Sequence, residues 1–268
     1  MPKANIKIYE LLKRVRENKP LIHHLTNWVT IYDCANIVKA LGASPVMAHA
    51  KEEVAQMAAI SSALVLNIGT LTVDFVEAMK IAARSANAKN IPVILDVCGA
   101  GATDLRDKKS FELLDEVKID IIKGNSSEIA RIAGENVLTK GVDATSVKKD
   151  MAPVAAELAK EYKCSVALTG KVDIITDGKR TYYVENGSLM LTHVVGTGCM
   201  ATSVIGAFAA VEKDLAYAAA SALAVFGIAA ELAAAESGGP ASFKEKLFDA
   251  AFSLDHKTID EMQQVFLL

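Results

Sequence analysis

Ile91-Pro92-Val93-Ile94-Leu95-Asp96-Val97, running on into Cys98-Gly99-Ala100-Gly101-Ala102-Thr103, decides the fold class. A strand with one wet face alternates polar and apolar side chains, and residues 91–97 do not: they are aliphatic nearly throughout. Both faces are therefore covered, as in a parallel sheet with helices on either side. A lone carboxylate at the end of such a strand needs a partner or a metal, which makes Asp96 a candidate functional group. The small residues after it let backbone approach a ligand closely.

Outward from this unit the same scheme recurs. Upstream, residues 21–25, 45–48 and 63–68 read as strands. Between them lie a helix built on Ile8, Leu11, Leu12 and Val15, one capped by Thr26 or Asn27 and ending at Gly42, one over 51–60, and one capped by Thr72 to about Ala86. Downstream come a helix at 108–117, a strand at 119–122, a helix from Asn125, an irregular stretch at 137–145, a helix at 146–162 and a strand at 165–168. Asp177-Gly178 between two apolar runs, 172–176 and 180–184, signals a hairpin. Helices follow at about 198–211, 214–235, 241–253 and 256–266. With no linker or repeat, residues 1–268 read as one α/β domain: a mostly parallel sheet layered by helices on both faces, without a separate lid.

The second informative stretch is Val194-Val195-Gly196-Thr197-Gly198-Cys199-Met200. Leu189 to Leu191 with Val194 and Val195 reads as a strand, the glycines as a tight turn, and the residues after them as a helix. Backbone amides at such a turn, with the positive end of a helix dipole behind them, suit a phosphate. Cys199 falls in the first helical turn, where the same field favours thiolate.

Ligands in open α/β sheets bind beyond the carboxyl ends of the strands. Gly69, Asp96 with Gly99 and Gly101, Lys123 with Asn125, Thr169-Gly170 and Gly196 to Cys199 all fall there and share one rim. Asn125-Ser126-Ser127-Glu128 reads in two ways: as a capping box, or as a carboxylate that holds Mg²⁺ through water. The adjacent His23 and His24 point to opposite faces of a strand, one satisfied by backbone and one at the surface, so they are not a metal pair. By default Met47 is core packing and Trp28 a partly buried anchor.

Composition narrows the partners. The chain has 268 residues, 51% of them hydrophobic, and a net charge of −3 with no block of like charge, which excludes nucleic acid and anionic membranes as natural partners and points to a small substrate. The four cysteines are far apart and form no C-x-x-C pair, and residues 1–19 are charged and helical in pattern, unlike a secretory leader. Reduced thiols in a cytoplasm are expected. Residues 187–211 lack charge but hold Gly196, Gly198 and His193 and change period midway, which disfavours a membrane span.

Taken in order, Thr26-Asn27 with Val29-Thr30, Gly42-Ala43-Ser44-Pro45 with Met47, Asn67-Ile68-Gly69-Thr70, Leu95-Asp96 with Gly99-Ala100-Gly101-Ala102-Thr103, Lys123-Gly124-Asn125 with Glu128, Thr169-Gly170 with Asp173 and Thr176-Asp177-Gly178, and Gly196-Thr197-Gly198-Cys199 resemble hydroxyethylthiazole kinases. The resemblance runs from about Leu21 to Ala235. It implies the ribokinase-like fold, ATP-dependent phosphorylation of 4-methyl-5-(2-hydroxyethyl)thiazole in thiamine salvage, and a homotrimer with active sites at subunit interfaces. It further implies that Met47, Gly196, Asn27 and Gly69 meet the thiazole, that Lys123, Thr169, Asn125 and Gly198 meet ATP, and that Asp96 and Glu128 organise Mg²⁺. Cys199 would accept the substrate's hydroxyl proton in place of the aspartate usual in this superfamily. Two departures stand out: the family's Asp-Pro-Val is Asp96-Val97-Cys98, and its arginine at position 123 is Lys123. Other readings are a pyrimidine or pyridoxine alcohol kinase on the same fold, a cysteine hydrolase using His193, and a non-catalytic binding protein.

Overall fold

The computed structural model describes residues 3, 4, 6–135 and 150–268. Among these residues nine strands make one sheet: β1 (Leu21–Leu25), β2 (Ser44–Val46), β3 (Ala63–Asn67), β4 (Val93–Asp96), β5 (Ile121–Asn125), β6 (Ser165–Thr169), β7 (Asp173–Thr176), β8 (Thr181–Val184) and β9 (Val265–Leu267). Their order is β2-β1-β3-β4-β5-β6-β7-β8-β9. The first six pair in parallel and the last three antiparallel.

The aliphatic strands bury both faces, as their lack of alternation requires. One face, through Ile22, Val65, Ile94, Ile121 and Ala167, meets α1 (Ile8–Asn18), α2 (Ile31–Ala40), α8 (Thr197–Ala209), α9 (Leu215–Glu236), α10 (Pro240–Ser253) and α11 (His256–Met262). The other, through Leu64, Leu66, Val93, Leu95 and Ile122, meets α3 (Val54–Ile60), α4 (Val73–Lys89), α5 (Asp104–Glu116), α6 (Ser126–Ile132) and α7 (Met151–Tyr162). Among the described residues α9 alone is long and apolar enough to cross a membrane, and most of it is buried within the fold. Phe208, Ile205 and Val204 of α8 are fully buried, which fixes that helix rigidly behind its N-terminus.

Several expectations change. Residues 189–193 form a 3₁₀ turn rather than a strand, because no neighbouring strand offers them a ladder and Ser188 caps the turn through Met190 N. The C-terminal helix stops at Met262, and Val265–Leu267 instead takes the open edge of β8. Helix α2 begins at Ile31, since Asn27 Oδ1 accepts the Thr30 N–H at 3.1 Å and keeps residues 27–30 in a turn. Helix α5 starts four residues before the expected 108, capped by Thr103. His23 and His24 are both buried, and each bonds a backbone carbonyl, Ala48 and Ile22 respectively. Burial pulls both below the usual imidazole range, His24 to about 4. The expected irregular stretch at 137–145 lies outside the described residues.

Candidate active site

The register of the parallel strands builds the site. Asn67, the last residue of β3, lies opposite Asp96, the last of β4, and Asp96 lies opposite Lys123 of β5. Asn125 lies opposite Thr169 of β6. Side chains two apart on a strand share a face, so Asn67 follows Val65, Asp96 follows Ile94 and Lys123 follows Ile121 onto the α8 side of the sheet.

Helix α8 arrives there with its N-terminus foremost. Gly196 sits at φ +87, and a Cβ on it would lie 2.2 Å from Thr30 Cγ2, so only glycine fits. The first bond back to this turn is Met200 N to Gly196 O at 2.8 Å, which leaves the amides of residues 197–199 at the open end of the helix. Lys123 Nζ lies beneath that turn, 3.1 Å from where a Cβ on Gly198 would be.

Two amide side chains join the sulfur to the carboxylate. Asn27 Nδ2 donates to Cys199 Sγ at 3.3 Å and to Asn67 Oδ1 at 3.0 Å. Asn67 Nδ2 donates to Cys199 Sγ at 3.3 Å and to Asp96 Oδ2 at 2.9 Å. Each NH₂ thus spends both hydrogens, and the sulfur receives two of them. Gly69 has no Cβ because one would sit 3.1 Å from Asn27 Cβ, and its N–H donates to Asn67 Oδ1 at 2.9 Å. Asp96 Oδ2 also accepts Thr202 Oγ1 at 2.6 Å and Lys123 Nζ at 3.4 Å. Asp96 Oδ1 is buried and has no partner among the described residues.

The charges follow from this packing. A hydrogen bond from Cys98 lowers the Cys199 pKa against burial and the Asp96 charge, and Lys123 assists; the result is about 7. Burial alone would discharge Lys123, but Asp96, Glu128 and Cys199 hold the ammonium firmly protonated. Glu128 is pushed up by burial and by Asp96, with Lys123 opposing.

Glu128 proves to be a brace. Its Oε2 accepts Asn125 N at 2.7 Å while Asn125 Oδ1 accepts Glu128 N at 3.0 Å, the complete capping box. Its Oε1 accepts Gly99 N at 2.7 Å, which ties the turn after β4 to α6. Thr169 Oγ1 reaches Gly124 O at 3.4 Å on the same rim. Met47 follows the edge strand β2 and takes no part in the hydrogen-bond network described here. His193 is exposed, and the bonds to Cys199 Sγ come from Asn27 and Asn67 rather than from an imidazole. Asn67 and Thr202 carry structural weight that the sequence reading did not assign. The signal for Asn67 was present in its place as a polar residue closing an apolar strand, as Asp96 does.

Residues 12–257 match the model of the hydroxyethylthiazole kinase family. The chain belongs to that family. A hydroxyethylthiazole kinase of Methanosarcina acetivorans is 56% identical over 254 residues, covering 95% of this chain and 97% of the relative. The solved structure of hydroxyethylthiazole kinase from Pyrococcus horikoshii OT3 superposes with a TM-score of 0.90 at 41% identity, over 97% of this chain and 98% of that one. A ribokinase-like superfamily protein of Enterococcus faecalis V583 shares the fold alone, with a TM-score of 0.65 at 10% identity over 94% and 98% of the two chains.

The departures from the hydroxyethylthiazole kinase pattern now have a setting. Val97 donates its N–H to Lys123 O at 3.0 Å, a bond that proline lacks, so the turn is tied down without a ring. Cys98 supplies a thiol whose influence lowers the Cys199 pKa.

Proposed function

We propose that this kinase transfers the γ-phosphoryl group of ATP to the primary hydroxyl of 4-methyl-5-(2-hydroxyethyl)thiazole, a step of thiamine salvage. The observation that carries the reading is a cysteine sulfur at a helix N-terminus, joined through two asparagines to a buried Asp96–Lys123 pair, in a chain of this family.

Phosphoryl transfer asks for alignment and charge stabilisation more than for covalent chemistry. The alcohol enters between Asn27, Gly69, Gly196 and Met47, with its hydroxyl toward Cys199 Sγ, which takes the proton. The amides of residues 197–199 receive the oxygens of the transferring group, and the Lys123 ammonium beneath them offsets their charge. Gly198, Asn125 and Thr169 line the nucleotide side. Magnesium fits these residues: the partnerless Asp96 Oδ1 is a buried acceptor, and both Glu128 oxygens, already bonded to amides, would reach the ion through water. No trio of His, Cys, Asp or Glu among the described residues forms a cage, in keeping with an ion that retains its waters. When bound, Mg²⁺ supplies charge to the phosphates.

The proposal extends to a homotrimer. Trp28, Val29, Tyr32 and Val195 are large, apolar and exposed, and they lie within two residues of Thr30 and Gly196, which pack on one another. Exposed apolar groups gathered at a site mouth mark an interface, here with further copies of the chain. Light scattering then gives three times the chain mass, and Val195→Glu gives smaller species with lost activity; a fully active monomer contradicts the trimer. Four free cysteines accord with a cytoplasmic location.

The function is tested by following ADP formation with hydroxyethylthiazole and Mg²⁺ beside a panel of pyrimidine and pyridoxine alcohols. ADP appears with the thiazole and matches the phosphorylated product mole for mole. Higher kcat/KM for another alcohol, or ligand-induced stabilisation without ADP, sinks the assignment.

A further inference from the structure

Arg106, in the first turn of α5, lies off the catalytic network, yet its guanidinium bonds two of the loops that build it. Nη1 donates to Ile68 O and to Cys98 O, both at 2.9 Å, and Nη2 donates to Gly69 O at 2.6 Å. Ile68 and Gly69 lead out of β3, and Cys98 leads out of β4. The ladder between these strands closes with Asn67 opposite Asp96, and beyond it, among the described residues, one long backbone bond, Ile68 N to Asp96 O at 3.4 Å, joins the two segments. Past that point the guanidinium does the joining.

The site for the guanidinium is built from both sides. Gly99 has φ +78, and a Cβ there would lie 3.0 Å from Nη1, so the turn is shaped to admit the group. The backbone of Arg106 is itself pinned, by its N–H to Thr103 Oγ1 at 3.3 Å and by Ser110 Oγ on its carbonyl at 2.8 Å. Its neighbour Asp107 accepts Gly101 N at 2.6 Å and the Arg131 guanidinium at 2.8 Å, which secures the same turn to α6. Among the described residues no carboxylate pairs with Arg106, so its donors serve carbonyls. A planar fork can meet carbonyls on two loops at once, and a lysine ammonium would reach fewer.

We infer that Arg106 is a positioning residue: it sets the separation between the loop that holds the alcohol, through Gly69, and the turn that follows Asp96, the carboxylate placed toward the ion. The inference rests on the site assignment above. It predicts a particular kinetic signature, because two substrates that each still bind but meet out of line lose kcat while their KM values hold.

The experiment varies both substrates against Arg106→Met, Arg106→Lys and Arg106→Ala, with melting curves to count folded enzyme. In Arg106→Met, kcat per folded molecule falls on the order of 10²-fold, as expected for misplacement by about 1 Å, and both KM values stay within a few-fold. Arg106→Lys falls between, and millimolar methylguanidinium restores part of the kcat of Arg106→Ala. Unchanged kcat per folded molecule overturns the inference, and so does a loss confined to the KM of one substrate, which would assign Arg106 to one loop. If Arg106→Met does not fold, Arg106→Lys decides by the same split. Failure of the site assignment looks different, because wild-type enzyme itself would then form no ADP with the thiazole.

Discussion

Cys199→Ala lowers turnover on the order of 10²-fold or more, the usual scale for a positioned base, whereas Cys199→Asp retains or raises it. The geometry sets this contrast. The sulfur accepts two amide hydrogens, from Asn27 and Asn67, and faces the open end of α8. A carboxylate there keeps those donors and starts from a far lower ordinary pKa than a thiol, while a methyl group leaves both donors facing a gap. The pH dependence separates a base from a mere filler of space. Since the Cys199 pKa lies near 7, its ionised fraction grows as pH rises through that value, and wild-type kcat climbs between pH 6 and 8. Aspartate has a much lower ordinary pKa than cysteine, so the Cys199→Asp profile is flatter and its advantage is greatest at the acid end. Cys98→Val removes the thiol that lowers the Cys199 pKa and moves the wild-type limb to higher pH. An alanine variant with near-normal kcat would take Cys199 out of the reaction.

Much of this fold is legible in the chain because its strands are covered on both faces. Aliphatic runs such as residues 63–66 and 93–95 leave few alternatives, and Asp177-Gly178 announces its own hairpin. Short apolar runs without partners mislead. Residues 189–195 carry strand-like side chains, but a strand needs a neighbour to complete its ladder, and none is adjacent. The end of the chain erred in the other direction, since the open edge of β8 gives Val265–Leu267 a ladder that periodicity alone does not show. The site was half visible for a similar reason. Each polar residue that closes an apolar strand is conspicuous, yet Asn67 and Asp96 are 29 positions apart and Asp96 and Lys123 are 27 apart. Only the register turns them into one network. Arg106 left no signal, because it acts on carbonyl groups, which every residue has.

Asp96 concentrates the most energy in one group, and its variants divide fold from chemistry. It is 1% exposed, and Oδ2 alone accepts Asn67, Thr202 and Lys123. In Asp96→Asn the amide oxygen can keep the three donors of Oδ2 while the NH₂ takes the partnerless Oδ1 place, but the charge is gone and Lys123 becomes a buried cation without its nearest counter-charge. Breaking a buried pair in this way costs about 3–5 kcal/mol, which for a chain of this size lowers Tm by roughly 10 °C. Turnover falls on the order of 10³-fold, because the carboxylate that fixes Asn67 and Lys123 and offers Oδ1 to the ion is gone. Those two losses come apart in the double variant Asp96→Asn/Lys123→Met. Removing both charges leaves no ion unpaired, and replacing a buried pair by apolar groups is often neutral or better, so the melting temperature recovers most of what the single change lost. Activity does not return, since neither the acceptor nor the ammonium is restored. A double variant that melts as low as the single one would show that the Asp96–Lys123 contact at 3.4 Å is not what the single change breaks. A double variant that regains turnover would place the phosphoryl chemistry elsewhere.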